Sequence, residues 1–233
     1  MLVVILSGFV IAALIPALYR RLQARSGWLI ALLPLGWLVY FLTKAPLILT
    51  HGQVIEERYA WVPSLGVDLA FRLDGLALLF ALLVTGIGAL VIIYGSGYLA
   101  GHLYQGRFFV IITLFMVSML GIVLSDHLVL LFVFWELTSI TSFLLIGFDH
   151  QRHTSRAAAW QALLVTAGGG LALLAGLVLL SQVAGSGMVS VINQSGGLIR
   201  SSPLYTGALL LILIGAFTKS AQFPFHFWLP NAM

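Results

Sequence analysis

The hydrophobic residues of this chain run in long, nearly uninterrupted stretches and do not alternate with polar residues. Apolar runs of about 17–25 residues are the length that an α-helix needs to cross a bilayer. Strands of an outer-membrane β-barrel would alternate instead, so the pattern argues against a barrel. It predicts an all-α polytopic membrane protein with about seven transmembrane helices. The predicted helices span residues 2–18, 28–49, 74–99, 107–124, 126–147 and 156–184, and a seventh begins near Leu204 and continues, with interruptions, towards the C-terminus.

Two of the connecting segments have a pattern of their own. Residues 59–62 and 67–73 are rich in strand-forming residues and flank the turn sequence Pro-Ser-Leu-Gly. Such a pair of segments around a turn is typical of a β-hairpin. We therefore expect a short extracytoplasmic hairpin at about residues 55–73. The stretch from 184 to 202 contains Gly, Ser and Asn and is expected to be a flexible outer loop.

Composition and charge agree with a membrane protein. The chain is 61% hydrophobic and only 8% charged, whereas a soluble domain carries roughly 25% charged residues. The loops after helices 1, 3 and 5 contain six arginines and the loops after helices 2, 4 and 6 contain four basic residues beside three acids. The positive-inside rule places the first set in the cytoplasm and the N-terminus outside. The net charge of +4 therefore reflects membrane topology and not nucleic-acid binding. We expect a multi-pass protein of the bacterial inner membrane.

No cofactor or metal site is expected from the motifs. The absence of cysteine excludes iron–sulfur and thiolate sites. Residues 95–100 fit the dinucleotide pattern G-x-G-x-x-A, but that pattern needs a preceding strand, and here it ends a membrane helix. His150 and His153 lie in a charged interfacial loop, which favours solvated side chains over metal ligands.

Two ionisable residues at membrane depth are the candidates for chemistry. Glu136 lies near the middle of helix 5, where an acid costs on the order of 2.5–3.5 kcal/mol on insertion scales. It should therefore face protein or water and have a partner. Ser139 lies one turn further on the same face. The alternatives to a transport role are a structural salt bridge and a protonated, hydrogen-bonded glutamic acid.

Lys219 is the second candidate. Pro224 cannot continue the helix, so helix 7 should kink or break close to this lysine. Broken helices at membrane depth occur where the backbone lines a polar path. His226, beside the break, is either a proton relay or a packing residue. Asp126 and His127, at the outer end of helix 5, either cap that helix or act on protons.

At these positions the sequence resembles a known family. Residues 134–139 (Phe-Trp-Glu-Leu-Thr-Ser), 142–147 (Ser-Phe-Leu-Leu-Ile-Gly) and 218–230 (Thr-Lys-Ser-Ala-Gln-Phe-Pro-Phe-His-Phe-Trp-Leu-Pro) are similar to signatures of the antiporter-like membrane subunits. Residues 74–82 match as well. That family includes the large subunits of Mrp-type Na+/H+ antiporters and the proton-translocating subunits of respiratory complex I. The sequence Trp-Glu-Leu-Thr-Ser around Glu136 most resembles that of the A subunit of the Mrp antiporter.

The resemblance implies a function and a domain arrangement. Glu136 and Lys219 match the pair at the centre of the family's ion-translocation path. Residues 1–106 would hold helices 1–3 with the outer hairpin, and residues 107–233 the first part of an antiporter-like repeat, which is truncated after helix 7. The implied function is Na+/H+ antiport by the N-terminal part of a large subunit, with other membrane subunits as partners. The alternatives are a proton-pumping subunit of complex I or of a membrane-bound hydrogenase, and a structural scaffold without its own transport.

The charge bias of the loops makes a prediction about topology. We expect Ser64, in the hairpin turn, to be outside the cell and Thr154, before helix 6, to be inside. Single cysteines at the two positions in intact cells, treated with an impermeant thiol reagent, should be labelled at Ser64→Cys only. Labelling of Thr154→Cys without labelling of Ser64→Cys would reverse the topology.

Overall fold

The computed structural model describes residues 1–23 and 26–232, so Arg25, one of the arginines predicted on the cytoplasmic side, lies outside the described residues. Within that part of the chain, six helices are long and apolar enough to cross a bilayer. They are α1 (Leu2–Leu22), α2 (Ser26–Leu49), α3 (Gly75–Tyr98), α4 (Gln105–Leu124), α5 (Leu128–Ile146) and α6 (His153–Ala184). Each begins and ends within about one turn of its predicted bounds. The prediction of a helical membrane fold is confirmed.

The seventh apolar helix is shorter and ends early. The short helices α7 (Val189–Gln194) and α8 (Gly196–Ser201) lead to α9 (Tyr205–Lys219). The 15 residues of α9 reach only about 22 Å at about 1.5 Å per residue, less than the roughly 30 Å of a hydrocarbon core. A turn, a 3-10 segment at Phe225–Phe227 and α10 (Trp228–Ala232) follow. The predicted break in helix 7 is therefore confirmed, and Lys219 is its last helical residue.

The predicted hairpin is also confirmed. Strands β1 (Ile55–Val62) and β2 (Val67–Leu73) pair as a two-stranded sheet. A 3-10 turn at Pro63–Leu65 and Gly66 at φ 63°, a left-handed conformation that suits glycine, join them. Ion pairs between the strands add to the backbone pairing: Arg58 with Asp68 at 2.5 Å and Arg72 with Glu56 at 2.6 Å.

The chain forms two compact units. Unit 1 comprises Met1–Glu57 with Phe71–Leu124, and unit 2 comprises Arg58–Ala70 with the chain from Ser125 onwards. Helices α1 to α4 make up unit 1, and α5, α6 and α9 are the long helices of unit 2. The expected boundary at residues 106 and 107 concerns a structural repeat and not compactness, so it stays a prediction.

A buried glutamine joins three helices of unit 1. The Gln105 side chain is fully buried, and its amide nitrogen donates to the carbonyls of Gly95 and Ser96 at 3.3 and 3.0 Å. These carbonyls belong to the last turn of α3, where helical partners run out. Its amide oxygen accepts from the Tyr19 hydroxyl of α1 at 3.2 Å. Gln105 therefore satisfies a helix end and fixes the position of Tyr19.

Unit 2 is held at its outer end by Asp126, in a way that differs from the expected helix cap. His127 is the N-cap of α5, and its Nδ1 accepts from the amide of Val129 at 3.2 Å. The Asp126 carboxylate instead accepts from the Ser190 amide and hydroxyl at 2.9 and 2.7 Å. Its backbone amide donates to the Ala70 carbonyl at 2.9 Å. One residue thus connects strand β2 of the hairpin and the segment after α6 to the start of α5.

The segment from 184 to 202, predicted to be a flexible loop, is largely helical, so that prediction is wrong. Residues 189–201 form α7 and α8, although the local sequence is rich in Ser, Gly and Asn. Ile192 of α7 is buried against Leu128, Leu173 and Leu177. The tertiary contacts with Asp126 and this apolar cluster therefore override a weak local helix preference.

Candidate functional site

Glu136 lies in the middle of α5 and is half-buried. Its Oε1 atom is buried and has no hydrogen-bond partner among the described residues. A Cβ atom on Gly170 of α6 would overlap Oε1, so the carboxyl group lies directly against the backbone of α6. A buried carboxyl without a partner is costly, and such groups are exceptions that call for an explanation. Glu136 is therefore held in place by packing at an energetic cost.

Lys219 reaches the same face of α5. Its Nζ donates to the hydroxyl of Ser139 at 2.7 Å and lies 5.6 Å from the centroid of the Trp135 ring. This distance is within the range of a cation–π interaction. Ser139 is buried, and its own hydroxyl lies 3.3 Å from the Trp135 carbonyl of the preceding turn, to which it donates. The ammonium group is thus held by a hydroxyl and an aromatic face.

The two charged residues are neighbours without a direct ion pair. Glu136 is not among the salt-bridge partners found in the described part of the chain. Ser139 is three residues after Glu136, a spacing that places both on one helical face, and it contacts Lys219. The expected pairing of Glu136 with Lys219 therefore takes the form of a cluster in which a serine hydroxyl is the nearest polar partner of the lysine.

The break after α9 determines where Lys219 lies. The Ser220 and Gln222 amides bond back to the carbonyls of Ala216 and Phe217, both at 2.9 Å. The Trp228 indole nitrogen donates to the Thr218 carbonyl at 3.0 Å. These bonds satisfy carbonyls at the helix end that lack helical donors. The negative end of the helix dipole also favours a cation in the last turn.

A run of three glycines brings α6 close to both neighbours. A Cβ atom on Gly169 would overlap the Thr218 side chain of α9, and one on Gly170 would overlap Glu136 of α5. At Gly168 a Cβ atom would meet nothing within 4 Å. Two of the three glycines therefore permit close helix approach, as small residues do between membrane helices.

The remaining candidates lie outside this cluster. His226 is exposed, and its ring stacks on Phe223 at 5.7 Å between centroids. His127 is 4% exposed, and its burial lowers its pKa, partly offset by a backbone hydrogen bond to Gly66. The neutral imidazole is the form whose Nδ1 can accept from Val129. The structure therefore brings together Glu136, Ser139 and Lys219.

The sequence reasoning missed the contact of Ser139 with Lys219 and the part that Trp135 plays in the cluster. The position of Ser139 followed from helical spacing, but nothing local indicated that Lys219 would reach it. Trp135 gave no signal beyond its place beside Glu136, and its buried Nε1 has no partner among the described residues. Thr138 and Thr141 donate to carbonyls of their own helix, those of Trp135 and Leu137, both at 2.7 Å.

A cavity among the described residues lies apart from this cluster. No group of three or more His, Asp or Glu side chains in the described ranges is placed to hold a metal ion. A cavity of about 500 Å³ lies at the outer end of unit 2, lined by His127, Gln182 and several leucines and glycines. Neither Glu136 nor Lys219 is among the described residues that line it.

Comparison with known families matches two parts of the chain. Residues 125–233 match the family described as NADH:quinone oxidoreductase/Mrp antiporter, TM. Residues 61–109 match the family described as NADH-Ubiquinone oxidoreductase (complex I), chain 5 N-terminus. Both the Glu136 and the Lys219 positions fall in the first match.

Curated relatives cover the chain almost completely. It is 46% identical, over 98% of its length, to the A subunit of the Na(+)/H(+) antiporter of Alkalihalophilus pseudofirmus. It is 42% identical, over 99% of its length, to the A1 subunit of the Na(+)/H(+) antiporter of Staphylococcus aureus. The chain spans 28% and 29% of the length of these two relatives.

Solved structures share the fold. A chain in the structure of the Mrp complex from Dietzia sp. DQ12-45-1b is 38% identical and superposes with a TM-score of 0.86, over 99% of this chain and 25% of that one. A chain of the membrane-bound sulfane sulfur reductase, an archaeal respiratory membrane complex, gives a TM-score of 0.78 over 99% of this chain and 46% of that one. At 18% identity the second likeness concerns the fold alone.

The glycine contacts predict how α6 responds to added volume. We expect Gly170→Ala in the full-length protein to destabilise it by about 1–3 kcal/mol, the usual cost of overpacking, because the new methyl group displaces Glu136. Gly168→Ala is the matched control, since its methyl group meets open space and alanine favours a helix. Thermal melting of the detergent-purified protein, followed by size-exclusion, measures both. Equal melting temperatures of the two variants would contradict the close packing.

Proposed function

We propose that this chain, which is 46% identical over 98% of its length to the A subunit of a Na(+)/H(+) antiporter and whose residues 125–233 match the NADH:quinone oxidoreductase/Mrp antiporter family, takes part in Na+/H+ antiport. It would do so as part of a large subunit in a heteromeric complex of the bacterial cell membrane. Its substrates would be H+ and Na+, its partners the other membrane subunits and the surrounding lipid bilayer. This makes the chain part of a secondary transporter and not of an enzyme.

The observation that carries the proposal is the Glu136–Ser139–Lys219 cluster beside a helix break. An acid and a base at membrane depth are costly, and the surrounding packing holds one carboxyl oxygen without a partner among the described residues. A scaffold would be more stable with apolar residues at these positions, because replacing buried charged pairs by well-packed apolar residues is often neutral or stabilising. The arrangement therefore supports proton movement over a purely structural role.

The mechanism follows from the coupling of two charges in a low-dielectric site. Two unit charges 4 Å apart attract by about 4 kcal/mol at an effective dielectric of 20, and by about half of that at twice the distance. Protonation of Glu136 removes this attraction, so the Lys219 ammonium releases its proton more easily. Ser139 offers a hydroxyl that both donates and accepts, which suits it to pass the proton on from the lysine.

His226 has a secondary place in the proposal. It lies beyond the break, seven residues after Lys219, and its imidazole is exposed. We propose it as a relay group on the far side of the break from Glu136. The two domains expected from the sequence, residues 1–106 and 107–233, belong to the same proposal.

A redox-coupled proton pump is the second candidate, because both matched families are described with complex I. The two functions differ in the partner proteins. Affinity purification of the native protein from membranes distinguishes them: small antiporter subunits indicate antiport, and quinone or hydrogenase modules indicate the pump.

The charged pair makes the central prediction. Glu136→Gln should abolish Na+-dependent proton flux in everted vesicles without preventing assembly, since it keeps the shape of the side chain and removes its charge. Lys219→Ala should do the same, and Glu136→Asp should retain part of the activity. Flux is normalised to assembled complex on a native gel. If Glu136→Gln assembled and transported at the wild-type rate, the pair would be structural.

The serine contact makes a separate prediction. Ser139→Ala removes the hydroxyl that holds the lysine, and a hydrogen bond to a charged group is worth about 1.5–3 kcal/mol. We expect flux to fall about tenfold or more, with Ser139→Thr retaining part of it. Ser142→Ala is the matched control, because the Ser142 hydroxyl bonds to the Thr138 carbonyl of its own helix. Similar losses in Ser139→Ala and Ser142→Ala would show a general effect on α5 and not a role of the lysine contact.

A further inference from the structure

A pocket of about 410 Å³ lies at one end of unit 1, away from the charged cluster in sequence and in function. The last turns of α1 and the first turn of α4 form it. Its polar side is made of two arginines and two tyrosines, Arg20, Arg107, Tyr19 and Tyr104. Its apolar side is made of Pro16, Leu103 and Val110.

The position of Tyr19 in this pocket is fixed by its contacts with α4. The Tyr19 hydroxyl donates to the buried Gln105 side chain at 3.2 Å. The Tyr19 ring packs directly on Gly106 of α4, where a Cβ atom would come within 2.8 Å of it. The ring also contacts Phe109, with 6.5 Å between centroids. The pocket is therefore a formed feature of the α1–α4 packing.

Its charge is of one sign. Residues 1–55 and 75–125, which supply all the membrane helices of unit 1, contain no aspartate or glutamate. None of the described residues that line the pocket is acidic. Arg20 is exposed and Arg107 is half-buried, and both line the pocket. An anionic group fits this site, and a cationic group finds no carboxylate among the described residues there.

The apolar side selects among anions. Leu103 is 80% exposed, and it stands next to arginines and tyrosines, residue types that occupy the membrane–water interface. A free phosphate would gain nothing from Leu103, Pro16 or Val110. A phospholipid places its phosphate at the arginines and its acyl chain along the apolar residues. Basic pockets between membrane helices on the cytoplasmic side bind lipid head groups in this way.

We propose that this pocket binds an anionic phospholipid of the cytoplasmic leaflet, with Arg20 and Arg107 on the phosphodiester and Tyr19 and Tyr104 at the level of the head group. The predicted topology places the end of α1 and the start of α4 on the cytoplasmic side. A zwitterionic lipid binds less well, because its ammonium group has no acidic partner among the described residues of the pocket. The site is independent of the proposed antiport.

Native mass spectrometry of the assembled, delipidated complex tests the proposal. Phosphatidylglycerol and phosphatidylcholine of the same acyl chains are added in turn, and the retained lipid is counted. We expect phosphatidylglycerol to bind about tenfold more tightly, in line with the attraction of anionic lipids to two basic residues. Equal binding of the two lipids by the unmutated complex would overturn the proposal, whatever the variants do.

Variants locate the site. The double variant Arg20→Gln, Arg107→Gln should lose one retained phosphatidylglycerol and the preference for it. Arg21→Gln is the matched control, since Arg21 lies in the same last turn of α1 but does not line the pocket. An equal loss in Arg21→Gln would indicate diffuse surface charge and overturn the site. Displacement of the lipid by inorganic phosphate at equal concentration would show that the acyl chain plays no part and overturn the choice of a lipid.

Discussion

The placement of a positive charge at the end of a short helix is the constraint on which the rest of unit 2 depends. A lysine inside a bilayer is tolerated only where protein groups replace water. Because α9 stops at Lys219, this residue lies in the last turn, where the negative end of the helix dipole favours a cation. The indole of Trp228 donates to the Thr218 carbonyl of that turn, and the hydroxyl of Ser139 receives the ammonium group itself. The break is thus part of how the charge is stabilised.

Close helix packing keeps this polar cluster small. Gly169 and Gly170 bring the backbone of α6 against Thr218 and Glu136, and Gly215 of α9 faces Leu173 and the Gly169 carbonyl in return. Without side chains at these positions, little room is left around the carboxyl group. A confined site has a low effective dielectric, in which charges influence one another more strongly than in water. The glycines therefore contribute to the electrostatics of the site through the distance they set between helices.

The sequence predicted the parts of the fold that depend on local composition. Long apolar runs specify the helices, Pro224 specifies the break, and the turn at 63–66 specifies the hairpin. It failed where distant contacts decide. Asp126 was expected either to cap its own helix or to act on protons, yet it binds Ser190, 64 positions away. This contact orders a segment that was predicted to be a loop. At the site, helical spacing placed Ser139 beside Glu136. That the lysine of a different helix would bind this serine depends on the α5–α6–α9 packing, which no local pattern encodes.

The contact of Lys219 with a serine instead of a carboxylate affects how the cluster can work. A direct salt bridge in a site of low dielectric would hold both groups in their charged forms, and breaking it would be expensive. A hydroxyl is neutral, rotates, and both donates and accepts. It stabilises the ammonium group without fixing the state of the carboxyl group, whose Oε1 stays without a partner among the described residues. In the proposed transport, protonation of Glu136 removes its attraction for Lys219. The proposed transport needs an attraction of intermediate strength between the two residues. In a pair that is bound too tightly the lysine would keep its proton, and in a pair that is too far apart the lysine would not respond to protonation of the glutamate.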